Sequence, residues 1–327
     1  MFKNATKFNS PLTFDTSNVT NMSFMFFGAT SFNQTLELLN ISQVINARGM
    51  LANAKSFNRD MSTMSFSPTT DDSAMVAGTA ITNVNWLPNT RNRLLYEAII
   101  SGDDSSIENY ADSASLTLGS YLFASYNTKP SLLHSKTVLP TSFNVNINSW
   151  DVSNFTDMSF MFAHAEAFDQ DLSSWDTTNV VDMSFMFYQA ERFDQAVTFT
   201  MANVGNARAM FAGARNFNQD LSGLVLEDKV DDSAIVSGTA ITESAYLPNT
   251  RNKALYSAIL NNDADTIAHY DTSKLSLGSY LFANQGSFNA DVSGWNVSHF
   301  DYMDSMFLYA DTFDKTLEVG ILAMLLI

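Results

Sequence analysis

Cysteine is absent from the 327 residues. No disulfide, thiolate nucleophile or cysteine-ligated metal cluster is therefore available, although a repeat array can be stable without such staples. Basic residues are scarce, with 17 against 34 acids and a formal net charge of −17. A chain this acidic is repelled by phosphate backbones and anionic membranes, and no basic run of five appears, so nucleic acid is excluded as a partner. Histidine occurs only at His134, His164, His269 and His299. None makes a His-Glu-x-x-His pair or stands at metal spacing from another, and His164, in a variable slot of the repeat, is expected on the surface. No Gly-x-Ser-x-Gly elbow, phosphate loop or dinucleotide fingerprint is present. Nor is there a long apolar run. The apolar 319–327 segment is far short of the roughly 20 residues of a spanning helix. It reads as the buried part of an incomplete repeat, with the start of a membrane anchor as the rival, so anchorage is possible only outside the chain.

What the chain does have is repetition. The content is 46% apolar and 13% aromatic, with 26 Phe and 16 Met. That is too apolar for disorder. The phrase "MFFGATSFNQ" at Met25 returns as "MFAHAEAFDQ" at Met161, "MFYQAERFDQ" at Met186 and "MFAGARNFNQ" at Met210. Anchors fall at Met1, Met25, Met50, Met75, Leu122, Met161, Met186, Met210, Ile235, Leu281 and Met306, mostly 24 or 25 residues apart. A fixed period of this size marks a repeat array. Met1 lies inside a unit, which suggests a fragment.

Within a unit the spacing changes. Trp175-Asp176-Thr177 alternates in, out, in, which predicts a short strand. Val180, Met183, Met186, Ala190 and Phe193 then recur every three or four residues, which predicts one or two helical turns. The expected fold class is an α/β repeat solenoid, a stack of short parallel strands and short helical turns. Each unit buries its Trp, Met and Phe against its neighbours. Asn9, Asn33, Asn58, Asn144, Asp169, Asp194, Asn218, Asn289 and Asp314 close the phrase. A ladder of turn-stabilising side chains is favoured there over a row of cation ligands, because the set is mostly Asn.

A longer period lies above the first. "DDSAMVAGTAITNVNWLPNTRNRLLYEAII" at Asp71 matches "DDSAIVSGTAITESAYLPNTRNKALYSAIL" at Asp231, 160 residues on. Within it Leu94, Leu95, Ala98 and Ile99 have helical spacing, Gly102 is a stop, and Ile107 and Tyr110 suit a second short helix. The expected organisation is a repeat block over 1–86, a helical insertion over 87–117, a second block over 118–246 with a loop at 125–141, an insertion over 247–274 and a partial block over 275–327. The insertions read as extra packing or as docking sites.

The stretch "SFNVNINSWDVSNFTDMSFMFAHAEAFDQDLSSWDTTNVVDMSFMF" resembles the BspA-like leucine-rich-repeat surface proteins, in the branch with a unit of about 25 residues. The likeness covers nearly all of the chain outside the insertions and 125–141. It implies a leucine-rich-repeat-like array on a secreted or cell-surface protein that binds a ligand or mediates adhesion. It brings no catalytic residue and no cofactor. The units at Met75 and Ile235 depart from the pattern by losing the Phe-Asn ending. Alternation along the expected strands leaves Asp15, Asn40, Asp151, Asp176 and Asn296 pointing outwards, as a partner-binding strand face or a merely solvated one. No catalytic or metal residue is expected: Asp169, Asp171 and Asp176 follow the repeat rhythm, whereas a catalytic pair is singular. The expected function is non-enzymatic recognition of a protein or glycan at the cell surface, the alternative an intracellular scaffold docking through its insertions. Seven Asn-x-Ser/Thr triplets add weak support for a surface location.

Overall fold

The computed structural model describes residues 1–124 and 143–317. The units do stack, but they are not built as the spacing predicts. Among the described residues there is no β-strand, only isolated parallel bridges such as Asn21 to Asn46 and Asp157 to Asp182. The predicted strand-and-helix stack is therefore wrong, and with it the leucine-rich-repeat-like architecture.

The Met-Phe segment, expected to be helical, is a chain of tight turns that carries the bonding between coils. Met22, Phe24, Phe26 and Gly28 each donate an N–H to the next coil, at the carbonyls of Asn46, Arg48, Met50 and Ala52. The interleaved N–H groups of Met25, Phe27 and Ala29 turn back to carbonyls three residues earlier. Two residues per coil sit in the left-handed region, for example Phe185 at φ 57° and Gln189 at φ 54°. A left-handed L-residue costs roughly 1–2 kcal/mol and ends an α-helix. Here it aims alternate amides at the neighbouring coil, and the bonds made there offset the cost. A turn closing on the third residue back repeats apolar side chains at nearly the spacing of a helix. That is why the pattern misleads.

The Trp-Asp segments alternate as expected. Trp175 and Thr177 are buried and Asp176 is exposed. Their backbones do not pair, however. Side chains bridge them instead. The hydroxyl of Thr16 accepts the Asn40 N–H at 2.7 Å and donates to its carbonyl at 3.0 Å, and Thr177 serves Thr200 in the same way.

Inside the coils phenylalanines form columns. Phe187 is fully buried, with ring centroids 5.4 Å from both Phe162 and Phe211, and Phe193 lies 5.9 Å from Phe168 and 5.8 Å from Phe217. Offset stacking of this kind adds about 0.5–1.5 kcal/mol per pair beyond burial.

The coils fall into three stacks: anchors Met1 to Met75, Leu122 to Ile235, and Leu281 to Met306. Helices lie between the stacks. α1 (Arg93–Ser101) and α2 (Asp104–Glu108) form the first insertion, α3 (Lys253–Leu260) and α4 (Ala264–Ala268) the second. Gly102 ends α1 in the left-handed region at φ 68°, its N–H bonding the Ala98 and Ile99 carbonyls. Leu95, Tyr96 and Ala98 face the core, whereas Leu94, counted in the apolar stripe, is 71% exposed. Each insertion substitutes for a coil. Trp175 donates its indole N–H to Ile147 of the preceding coil, whereas Trp150 donates to Ile107 in α2, and Trp295 to Ile267 in α4. The loop expected at 125–141 and the apolar 319–327 segment lie outside the described residues.

Candidate functional site

The five residues expected on a strand face are all exposed, but each stands just ahead of a turn rather than in a strand. In each, the side-chain oxygen accepts an N–H two residues on: Asp15 from Ser17 at 2.8 Å, Asn40 from Ser42 at 3.0 Å, Asp151 from Ser153 at 3.0 Å, Asp176 from Thr178 at 3.0 Å and Asn296 from Ser298 at 3.1 Å. A short polar side chain that caps its own turn is held in one orientation. Hydrogen bonds from these neighbours hold the carboxyls of Asp15, Asp151 and Asp176 below their ordinary range, the Ser17 amide leading at Asp15 and the Ser153 and Thr178 hydroxyls at the other two. All three are charged at neutral pH. The residues do not form one face. Asp15 and Asn40 are neighbours on the first stack, Asp151 and Asp176 on the second, and Asn296 stands on the third.

The closing Asn and Asp residues form rungs between coils. The Asn9 Oδ1 accepts the Asn33 N–H at 2.8 Å, Asn33 that of Asn58 at 3.0 Å, and Asp194 that of Asn218 at 2.8 Å. The following glutamines tighten the rung: Gln219 donates its amide to both the carbonyl and the carboxylate of Asp194 at 2.9 Å. These side chains are spent on backbone groups. No group of three or more His, Asp and Glu residues placed to hold a metal occurs among the described residues.

The structure also brings together residues that spacing did not flag. The turn sides of the stacks pack against one another, with Phe160 and Tyr188 common to both contact regions. The Tyr188 hydroxyl donates to Asp304 at 2.5 Å, 116 positions away, and Arg208 meets Asp301 at 2.7 Å. His164 is not a surface residue. It is half-buried with its ring edge-on to Tyr188. Burial first, and then the positive charge of Lys55, lower its pKa to about 4. Lys55 is itself buried, which brings it down to about 8.

The duplicated "DDSA…PNTRN" words mark the nodes that tie each insertion to its stack. Asp72 is fully buried and accepts from the Asn92 amide N–H at 3.1 Å and its side chain at 2.5 Å, while the Tyr96 hydroxyl bonds the Asp72 carbonyl. Asp232, Asn252 and Tyr256 repeat the arrangement. Burial raises both carboxyls above their ordinary value, against the hydrogen bonds that lower them. The near-identity of the two copies was the available signal, since it covers polar residues that a solvated loop has no need to keep.

A model of one family, described as a Mycoplasma protein of unknown function, DUF285, matches residues 1–89, 135–232 and 250–319. No curated protein matches the chain, and no solved structure does. With most of its length inside that match, the chain belongs to the DUF285 family.

Proposed function

We propose that this protein is a non-enzymatic repeat protein of the cell surface or extracellular space, which recognises a protein or glycan partner through its outward Asp and Asn rows. The observation that carries the reading is the fixed presentation of Asp151 and Asp176 on consecutive coils, each held by its own turn and charged at neutral pH. An array of similar coils offers such groups at a regular interval, which suits an extended ligand with basic or hydroxyl groups at matching intervals. The finer resemblance to the BspA-like surface proteins supports the same setting. Among the described residues no helix is long and apolar enough to cross a membrane.

A second reading has one observation in its favour. Leu94 is 71% exposed on α1, an apolar group offered to solvent by an insertion, which suits a scaffold that docks partners there.

Charge reversal separates the two. A variant carrying Asp15→Lys, Asp151→Lys and Asp176→Lys is compared with wild type on protein and glycan arrays and on whole cells. Loss of a captured ligand, with an unchanged circular dichroism spectrum, is the expected result. Equal capture by both proteins overturns the reading. Equal capture together with loss on Leu94→Asp moves the site to the insertion.

A further inference from the structure

The coil that precedes each insertion ends a stack with its amides facing outwards. In uninterrupted coils the equivalent groups are used: Phe211 and Gly213 donate to the carbonyls of Ile235 and Ser237 one coil on. At the end coil the next carbonyls are missing. The N–H groups of Val236 and Gly238 find no acceptor among the described residues. They point to the side where α3 replaces a coil, and there lies a half-open cleft of about 30 Å³. Val236, Ser237, Gly238, Tyr256, Ile259 and Gln285 are among its walls.

A second, independent feature marks the same cleft. The Ser237 hydroxyl is buried with no hydrogen-bond partner, in a residue only 5% exposed. A buried hydroxyl left unpaired costs about 1–3 kcal/mol, so native proteins supply it a partner. Two outward amides flanking a residue, with the next position left-handed (Gly238, φ 70°), make a small concavity of positive partial charge, of the kind that binds anions. The first insertion provides an internal comparison. Its cleft, about 40 Å³, has the same frame at Val76, Gly78 and Tyr96, but Ala77 stands where Ser237 does.

We propose that the cleft beneath α3 binds a small carboxylate. Its two oxygens take the Val236 and Gly238 amides and the Ser237 hydroxyl, with Gln285 at the mouth, and any tail on the ligand leaves through the open side. A volume of this order holds about two or three water-sized groups. That accommodates a carboxylate head. The cleft lies apart from the outward Asp and Asn rows and does not rest on them.

The experiment is an acetate titration at constant ionic strength, followed by amide ¹H–¹⁵N shifts of the full chain. The expected result is a saturating shift at Val236 and Gly238, with a much weaker response at Val76 and Gly78. Ser237→Ala, which copies the residue naturally present in the first cleft, raises the dissociation constant about tenfold, the value of one hydrogen bond to a charged ligand. Ala77→Ser installs comparable binding in the first cleft. Shifts that grow linearly without saturating, or a Ser237→Ala protein that titrates like wild type, overturn the assignment.

Discussion

Replacing Asn284 tests whether the Met-Phe segments are turns or helices, because the two readings predict opposite orders of stability. Asn284 is exposed, has φ 63°, and donates its N–H to Leu308 in the next coil. Its side chain makes one long bond, 3.4 Å to the Gly238 carbonyl, which both Asn284→Ala and Asn284→Gly remove. The difference between the two variants is therefore a backbone quantity. In a helix Ala exceeds Gly by about 0.8–1.0 kcal/mol. In the left-handed region the Cβ of Ala costs roughly 1–2 kcal/mol, and the greater freedom that Gly loses on folding returns about 0.5–1 of it. Asn284→Gly should thus be the more stable variant by roughly 0.5–1 kcal/mol. Urea midpoints with unchanged slopes measure this directly. An Ala variant more stable than the Gly variant would refute the turn-built coil and restore the helix.

Two further outcomes follow from burial and charge. Phe187→Ala, at the centre of a column of rings, should cost about 3–5 kcal/mol, whereas Asp176→Ala on the exposed row, which loses one turn-capping hydrogen bond, should cost no more than about 1.5 kcal/mol; comparable losses in chemical denaturation would show that the column is not the core. His164 has its folded pKa lowered from 6.5 to about 4, so the folded chain binds fewer protons than the unfolded one between those values. Stability should then fall as the pH drops from 6.5 towards 4, and His164→Asn, which suits φ 58°, should flatten that part of the profile; an unchanged slope in pH-dependent melting would locate the effect elsewhere.

Much of the core was legible in the sequence, because a period of 24 or 25 residues in Met, Phe and Trp can only be buried by stacking one unit on the next. The inward and outward sides of the Trp-Asp-Thr segments were legible too, since alternation depends on extended backbone and not on pairing. The rungs at Asn33, Asn58 and Asp194 followed from short polar side chains at turns. The outward residues Asp15, Asn40, Asp151, Asp176 and Asn296 were found exposed, but as turn caps on three separate stacks.

The sequence alone thus determined the unit and its buried side chains, because burial and turn chemistry act over a few residues and repeat with the letters. Only the tertiary structure decided the hand of the backbone at Phe185 and Gln189 and the division into three stacks. It also decided the meeting of Tyr188 with Asp304 and the unpaired amides beside Ser237. Spacing of three or four cannot distinguish a helix from successive tight turns: the left-handed residues are stabilised by bonds to a coil some 24 positions away, and no local preference for Phe or Gln announces them.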